Sequence, residues 1–269
     1  MFCTAAASVH LEAPDRTSLR GFQMREQGLE RVFQVGRVWR AFALAVLMGP
    51  AACMATSSQT LTDTEMRWLQ AAWPVLLYAR SIALPVDVVV QPQSAPLLPP
   101  MALAWVGGRC KFVLSLRDNP EVAATDARLD PDLFDAALQL MAAHELGHCA
   151  RHVRGEFSPS AAAADADGTT EADIPRRGIS AAMSFALATQ REEAYADLVG
   201  LAWTQRHHAK LYGRVHAWLV SERLLSRRRG PAHDTLAWTQ LASRAERFGS
   251  RSVFAEADAL WVQSMASAD

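Results

Sequence analysis

The feature that most restricts this chain is a pentapeptide, His144-Glu145-Leu146-Gly147-His148, set in a segment where Leu133, Phe134, Ala137, Leu138, Met141 and Leu146 recur at helical spacing. Asp130-Pro131-Asp132 supplies an N-cap, a first-turn proline and a first-turn acid, so a helix is expected to start there and run to about Gly155. At about 100° per residue, positions four apart share a face, and the imidazoles of His144 and His148 can reach one metal ion. Glu145 is rotated by one residue; it is placed to hold a water and take its proton rather than to join the ligands. Zinc is the ion expected. Imidazole suits it, its bonds of about 2.0–2.1 Å match this spacing, and a catalytic site keeps three protein ligands and one open position.

A third ligand has to come from elsewhere. The metzincin continuation would need Gly and His where this chain has Arg151 and Arg154, so that class is excluded. His152 continues the spacing but lies two turns from His144, beyond the span of one ion, and reads as a polar helix residue. Further on, Arg191-Glu192-Glu193-Ala194-Tyr195-Ala196-Asp197 falls on a second predicted helix. One of the carboxylates Glu193 and Asp197 can complete a His2Glu set, while the other accepts a hydrogen bond from the far ring nitrogen of a ligating histidine and fixes its tautomer. A solvated acidic patch would account for Glu192, but less well for two acids embedded among Ala186, Leu187, Ala194, Ala196, Leu198 and Val199.

HELGH followed by EAYAD resembles the gluzincin metallopeptidases of the CAAX-prenyl-protease and heat-shock membrane-protease type, whose pattern is HExxH, a variable insert, then ExxxD with a small residue before the aspartate. The resemblance covers two helices. It implies a zincin-like fold with Glu193 as third zinc ligand, Asp197 as its supporting acid and Glu145 as general base. The best-known members are integral membrane proteins; here Arg80 and two prolines interrupt the most apolar stretch, and the chain is more similar to an exported or lipid-anchored periplasmic branch. In zincins the strand before the active-site helix forms a sheet edge along which substrate pairs. By that likeness Arg109 to Ser115 would line the cleft, and a Cys110–Cys149 bridge would pin strand to helix. Such enzymes also need a donor for the developing oxyanion. Candidates are His207, His208, Tyr212, His216 and His233, of which His216 is favoured because it sits on a helix following the ligand helix.

Residues Ala41 to Gly49 form a short apolar run preceded by Arg25, Arg31, Arg37 and Arg40 and followed by Pro50-Ala51-Ala52-Cys53, the order of an export signal. The run is far below the roughly 20 residues of a spanning helix. Met24 offers a more ordinary start for such a signal than Met1. Cys53 stands where a lipoprotein signal places its acylated cysteine, although Pro50 occupies a position where leucine is usual; plain cleavage near Ala52 or Ala55 is the alternative. Residues 1–55 are thus read as signal and 56–269 as one metallopeptidase domain, in the periplasm or cell envelope. Removal of Cys3 and Cys53 leaves Cys110 and Cys149 either as a pair or as two separate buried thiols.

Elsewhere, Thr62-Asp63-Thr64-Glu65 reads as a capping box opening a helix interrupted by Pro74, Val86 to Val90 as a strand, and Ala102–Val106 with Arg109–Leu116 as a hairpin around Gly107-Gly108. Glu156 to Gly178 is a low-complexity surface loop, and the remainder is helical with breaks near Gly213 and at Arg227 to Pro231. The fold class is mainly α with a small β-sheet (α+β). Half of the residues are hydrophobic (50%), enough for a sizeable core, and 27 Lys plus Arg against 28 Asp plus Glu give no footprint for nucleic acid. The function expected is that of an exported zinc endopeptidase acting on protein or peptide. A non-catalytic, zinc-stapled envelope protein and a zinc hydrolase of non-peptide amides such as cell-wall material are the alternatives.

Overall fold

The capping box forms as the sequence predicts. Thr62 Oγ1 accepts from the Glu65 amide at 3.2 Å and the Glu65 carboxylate accepts from the Thr62 amide at 2.7 Å, opening α1 (Asp63–Ser81). Pro74 does not interrupt this helix. Proline leaves the Gln70 carbonyl without its partner, but both residues lie on the exposed face, where water replaces the lost bond. The computed structural model describes residues 7–9, 60–94, 96–156, 174–227, 233–249 and 251–266. The expected signal run, Met24 and Cys53 lie outside these residues, as does most of the expected loop.

The chain is mainly helical with one small sheet, an α+β arrangement. Gly107 and Gly108, at φ 59° and 76°, make the two-residue turn that closes β3 (Met101–Val106) on β4 (Arg109–Leu114) in antiparallel register, Val106 opposite Arg109. β2 (Val86–Val90) pairs in parallel with β4, and β1 (Ala7–Val9), which falls within the residues 1–55 expected to be signal, pairs antiparallel with β2, giving the order β1-β2-β4-β3. β4 therefore has both edges occupied. The sheet edge belongs to β3 rather than to Arg109–Ser115, which corrects the expectation that the second hairpin strand lines the cleft.

A helix that the sequence reading does not anticipate follows, α2 (Pro120–Arg128), with the Asn119 side chain as its N-cap. The next begins as a tight turn, Pro131–Leu133, and continues as α3 (Phe134–Arg154), ending at Gly155 in the left-handed conformation, φ 69°. Asp130 makes no capping bond; it and Asp132 instead hold Arg214. α4 (Ile174–His207) starts inside the segment expected to be loop as far as Gly178. The following break falls at His208–Leu211 rather than at Gly213, and α5 (Tyr212–Arg227), α6 (Leu236–Leu241) and α7 (Val253–Ala266) complete the described chain. Among the described residues no helix is long and apolar enough to cross a membrane.

α3 occupies the centre, packed on α1, on β3 and most extensively on α4. Trp68 and Leu76 of α1, Phe112 and Leu114 of β4, Leu138 and Leu146 of α3, and Leu198 and Trp203 of α4 are each no more than 2% exposed. Burial round most of α3 leaves one partly open stripe, Met141, Glu145 and His148, at the spacing of a single helix face. The sheet is fixed to that helix by a disulfide between Cys110 of β4 and Cys149, the residue after His148, with Cα atoms 5.8 Å apart. Both cysteines are fully buried. The bridge spans 39 residues, and chain-entropy arguments put its contribution near 4 kcal/mol. Replacing both cysteines by serine is predicted to lower the denaturation midpoint correspondingly. In the unfolded native protein, alkylation should reach these two thiols only after reduction.

Candidate metal centre

Two glycines bring the backbones of α3 and α4 together. A Cβ on Gly147 would stand 2.9 Å from the Cα of Ala196, and one on Gly200 would stand 2.9 Å from the Leu140 carbonyl oxygen. The glycine inside HELGH and the small residue before the aspartate of EAYAD are thus the contact between the helices. His144 and Glu193 stand about one turn before that contact on α3 and α4, and His148 and Asp197 are the residues that immediately follow it.

The spacing of their polar atoms suits a metal. His144 Nε2 lies 3.2 Å from His148 Nε2 and 3.5 Å from Glu193 Oε2, and His148 Nε2 lies 3.5 Å from Glu193 Oε1. Tetrahedral ligands held at about 2.0–2.1 Å from one ion sit about 3.3 Å from each other. Two imidazoles and a carboxylate in this arrangement can hold a metal ion.

Asp197 does not join the ligands. It is wholly buried and accepts from His144 Nδ1 at 3.0 Å, from Thr235 Oγ1 at 2.6 Å and from Arg223 of α5, whose Nε donates at 2.8 Å and whose Nη2 donates to the other oxygen. Burial alone would raise its pKa; the Arg223 charge and the bonds it accepts outweigh that and bring it down to about 2. An ionised Asp197 only accepts, so His144 Nδ1 carries a hydrogen and Nε2 is the nitrogen left to bind a cation. Burial likewise opposes ionisation of Glu193, but bonds to His144, His148 and His233 hold it well below the usual carboxylate range. For His144 burial disfavours the charge, yet Asp197 and Glu193 prevail and raise it to about 10. A cation held by this cluster would take the Nε2 position of that proton. Glu145 differs in direction: burial raises its pKa, only partly offset by the neighbouring imidazoles, which makes it the better proton acceptor of the site's carboxylates.

The cluster opens into a cleft of about 710 Å³. α3 supplies its floor, with Met141, His144, Glu145 and His148. β3 and the preceding segment Pro96–Pro100 form one wall; Trp218, Leu219, Glu222 and Arg223 of α5 form another, with His233 beyond.

His144, Glu145, His148, Glu193 and Asp197 all come together as the sequence predicts. His216 does not. It lies two turns, about 10 Å, along α5 from Arg223, and its Nε2 donates to the Thr239 carbonyl at 2.8 Å. Three other candidates are also engaged elsewhere: His207 stacks on Trp203, His208 bonds Gln139, and Tyr212 bonds the Ala242 carbonyl. His233 alone of the five lines the cleft, Nδ1 3.5 Å from Glu193 Oε2. Glu192 is not solvated either: it is buried against Arg151 at 2.7 Å. His152 stacks on Trp105, away from the ligands. Arg223 and Thr235 escape the sequence reading altogether, since neither carries a local pattern.

No family model matches the chain, and neither curated proteins nor solved structures yield a match.

Gly147→Ala is predicted to force α3 and α4 apart. Overpacking of this kind costs roughly 1–3 kcal/mol, and metal affinity should fall with thermal stability. Unchanged metal titration and melting curves would show that the helices do not meet as described.

Proposed function

We propose that the chain is an exported zinc-dependent endopeptidase of gluzincin type, hydrolysing peptide bonds in protein or peptide substrates. The observation that carries this reading is three ligand atoms 3.2–3.5 Å apart at the floor of an open cleft, with Glu145 beside them. A structural zinc site is usually closed by four protein ligands; among the described residues this cluster has three, beside an open cleft, which disfavours a purely stapling role. When bound, zinc would polarise the scissile carbonyl and acidify the attacking water. Glu145, its basicity raised by burial, takes the proton as the water oxygen bonds to the carbonyl carbon, then delivers it to the nitrogen as the C–N bond breaks. Of the five candidate donors His233 is the one placed in the cleft to meet the negative charge that grows on the carbonyl oxygen.

Among the described residues β3 pairs on one side alone, and its outer edge suits an extended substrate. In a hairpin closed by a two-residue turn the flanking pair, Val106 and Arg109, is hydrogen bonded, and the alternation continues to the bond from the Ser115 amide to the Pro100 carbonyl. Backbone groups of Met101, Leu103 and Trp105 therefore face outward, and Leu103 lines the cleft. A peptide laid along this edge would pair through main-chain bonds without demanding a particular sequence. The Cys110–Cys149 disulfide supports export to an oxidising compartment such as the periplasm. There Cys53 would serve as a lipid anchor if it is acylated rather than removed.

The test is Glu145→Gln in the zinc-loaded protein, assayed on unfolded polypeptide and on purified cell wall. The variant should keep its zinc and its fold while losing at least about a hundredfold in rate. Undiminished proteolysis would remove Glu145 from the mechanism, and release of cell-wall fragments without proteolysis would transfer the reading to a non-peptide amide.

A further inference from the structure

Between β2 and β3 the chain runs as Pro96-Leu97-Leu98-Pro99-Pro100 along one rim of the cleft. A leucine left in water forgoes the free energy of burial, yet here Leu97 is 95% exposed and Leu98 46%. The strap that carries them is tied down. The Pro100 carbonyl accepts from the Ser115 amide at 3.0 Å, the Leu98 carbonyl accepts from Asn119 Nδ2 at 2.8 Å, and three prolines restrict φ along the rest. Asn119 is buried; Nδ2 also donates to the Ser115 carbonyl at 2.6 Å, and Oδ1 accepts from the Glu121 amide at 3.1 Å. One side chain thus joins the strap, the end of β4 and the start of α2. A fixed strap that holds leucine out at the rim offers an apolar surface to whatever occupies the cleft.

The remaining walls match it. Met141 lies one turn before Glu145 on the open stripe of α3, and Trp218 and Leu219 face the same cavity from α5. The charged wall residues already have partners: Arg223 is bound to Asp197, and Glu222 accepts two bonds from Arg128 at 2.7 and 2.9 Å. Resting on the peptidase reading above, we infer that Leu97, Leu98, Met141 and Trp218 form a specificity subsite for a large apolar side chain next to the scissile bond, with Asn119 as the residue that positions the strap. Side chains of that kind are buried in folded proteins and exposed in unfolded ones, so the substrate class is unfolded, apolar-rich polypeptide.

The experiment uses the zinc-loaded protein and a synthetic peptide mixture varied at each position around the cut, with products read by mass spectrometry. Wild type should favour Leu, Phe or Met over Ala, Ser or Asp at one fixed position by about tenfold or more in kcat/KM. Leu97→Ser, at a site too exposed to affect folding, should keep bound zinc and reduce that preference several-fold, mainly through KM. Asn119→Ala should blur the preference in the same sense; if it loses zinc or fails to fold, Leu97→Ser decides alone. Cleavage by wild type with no apolar bias, or a bias untouched by Leu97→Ser, overturns the subsite and leaves the peptidase reading intact. Failure of the zinc-loaded wild type to cut any peptide instead overturns the peptidase reading, and the subsite falls with it.

Discussion

The close contact of α3 and α4 governs the centre of this molecule. Helices whose backbones approach through glycine and alanine bring the residues that flank the contact on each within a few ångströms, and the histidine pair and the acid pair occupy those positions. Bulkier residues at 147, 196 or 200 would hold the helices further apart, and the same four polar side chains would then be separate surface groups. The apolar layers on either side, from α1 and β4 against α3, keep the contact from relaxing. Cys149 adds a covalent tie beside His148.

The second constraint is electrostatic. Burying Asp197 completely is costly unless its charge is met, and it is met by a guanidinium, a hydroxyl and an imidazole N–H. Arg223 suits this task because its planar fork donates to both oxygens at once. The arrangement orients His144 and leaves Glu193, rather than Asp197, as the acid that meets both histidines. Removing Arg223 would leave a buried carboxylate unpaired, the kind of change that costs more than the intact pair contributes. In this way α5 becomes part of the candidate metal centre.

What was legible in the sequence is what depends on spacing along one element. HELGH and EAYAD share faces because residues four apart must do so. The capping box at Thr62 and the Gly107-Gly108 turn are likewise local, and the two strands around that turn follow from it. What was hidden depends on how elements meet. Arg223 in an amphipathic helix looks like any surface arginine until α5 docks. His216 and His233 cannot be ranked without knowing that α6 claims the former. Which hairpin strand forms the sheet edge is decided by β2 pairing with β4, a contact no local pattern announces. α2, nine residues with a modest apolar face, was missed because it packs only Val122 and Thr125 inward.

The most direct test of the central claim is X-ray absorption spectroscopy at the zinc edge of the purified, zinc-loaded chain. The account predicts one zinc per chain in a shell of nitrogen and oxygen only, two of the scatterers imidazole and one carboxylate, at about 2.0–2.1 Å, with a further light atom from solvent. A sulfur-containing shell, or a chain that takes up no stoichiometric zinc, would contradict it.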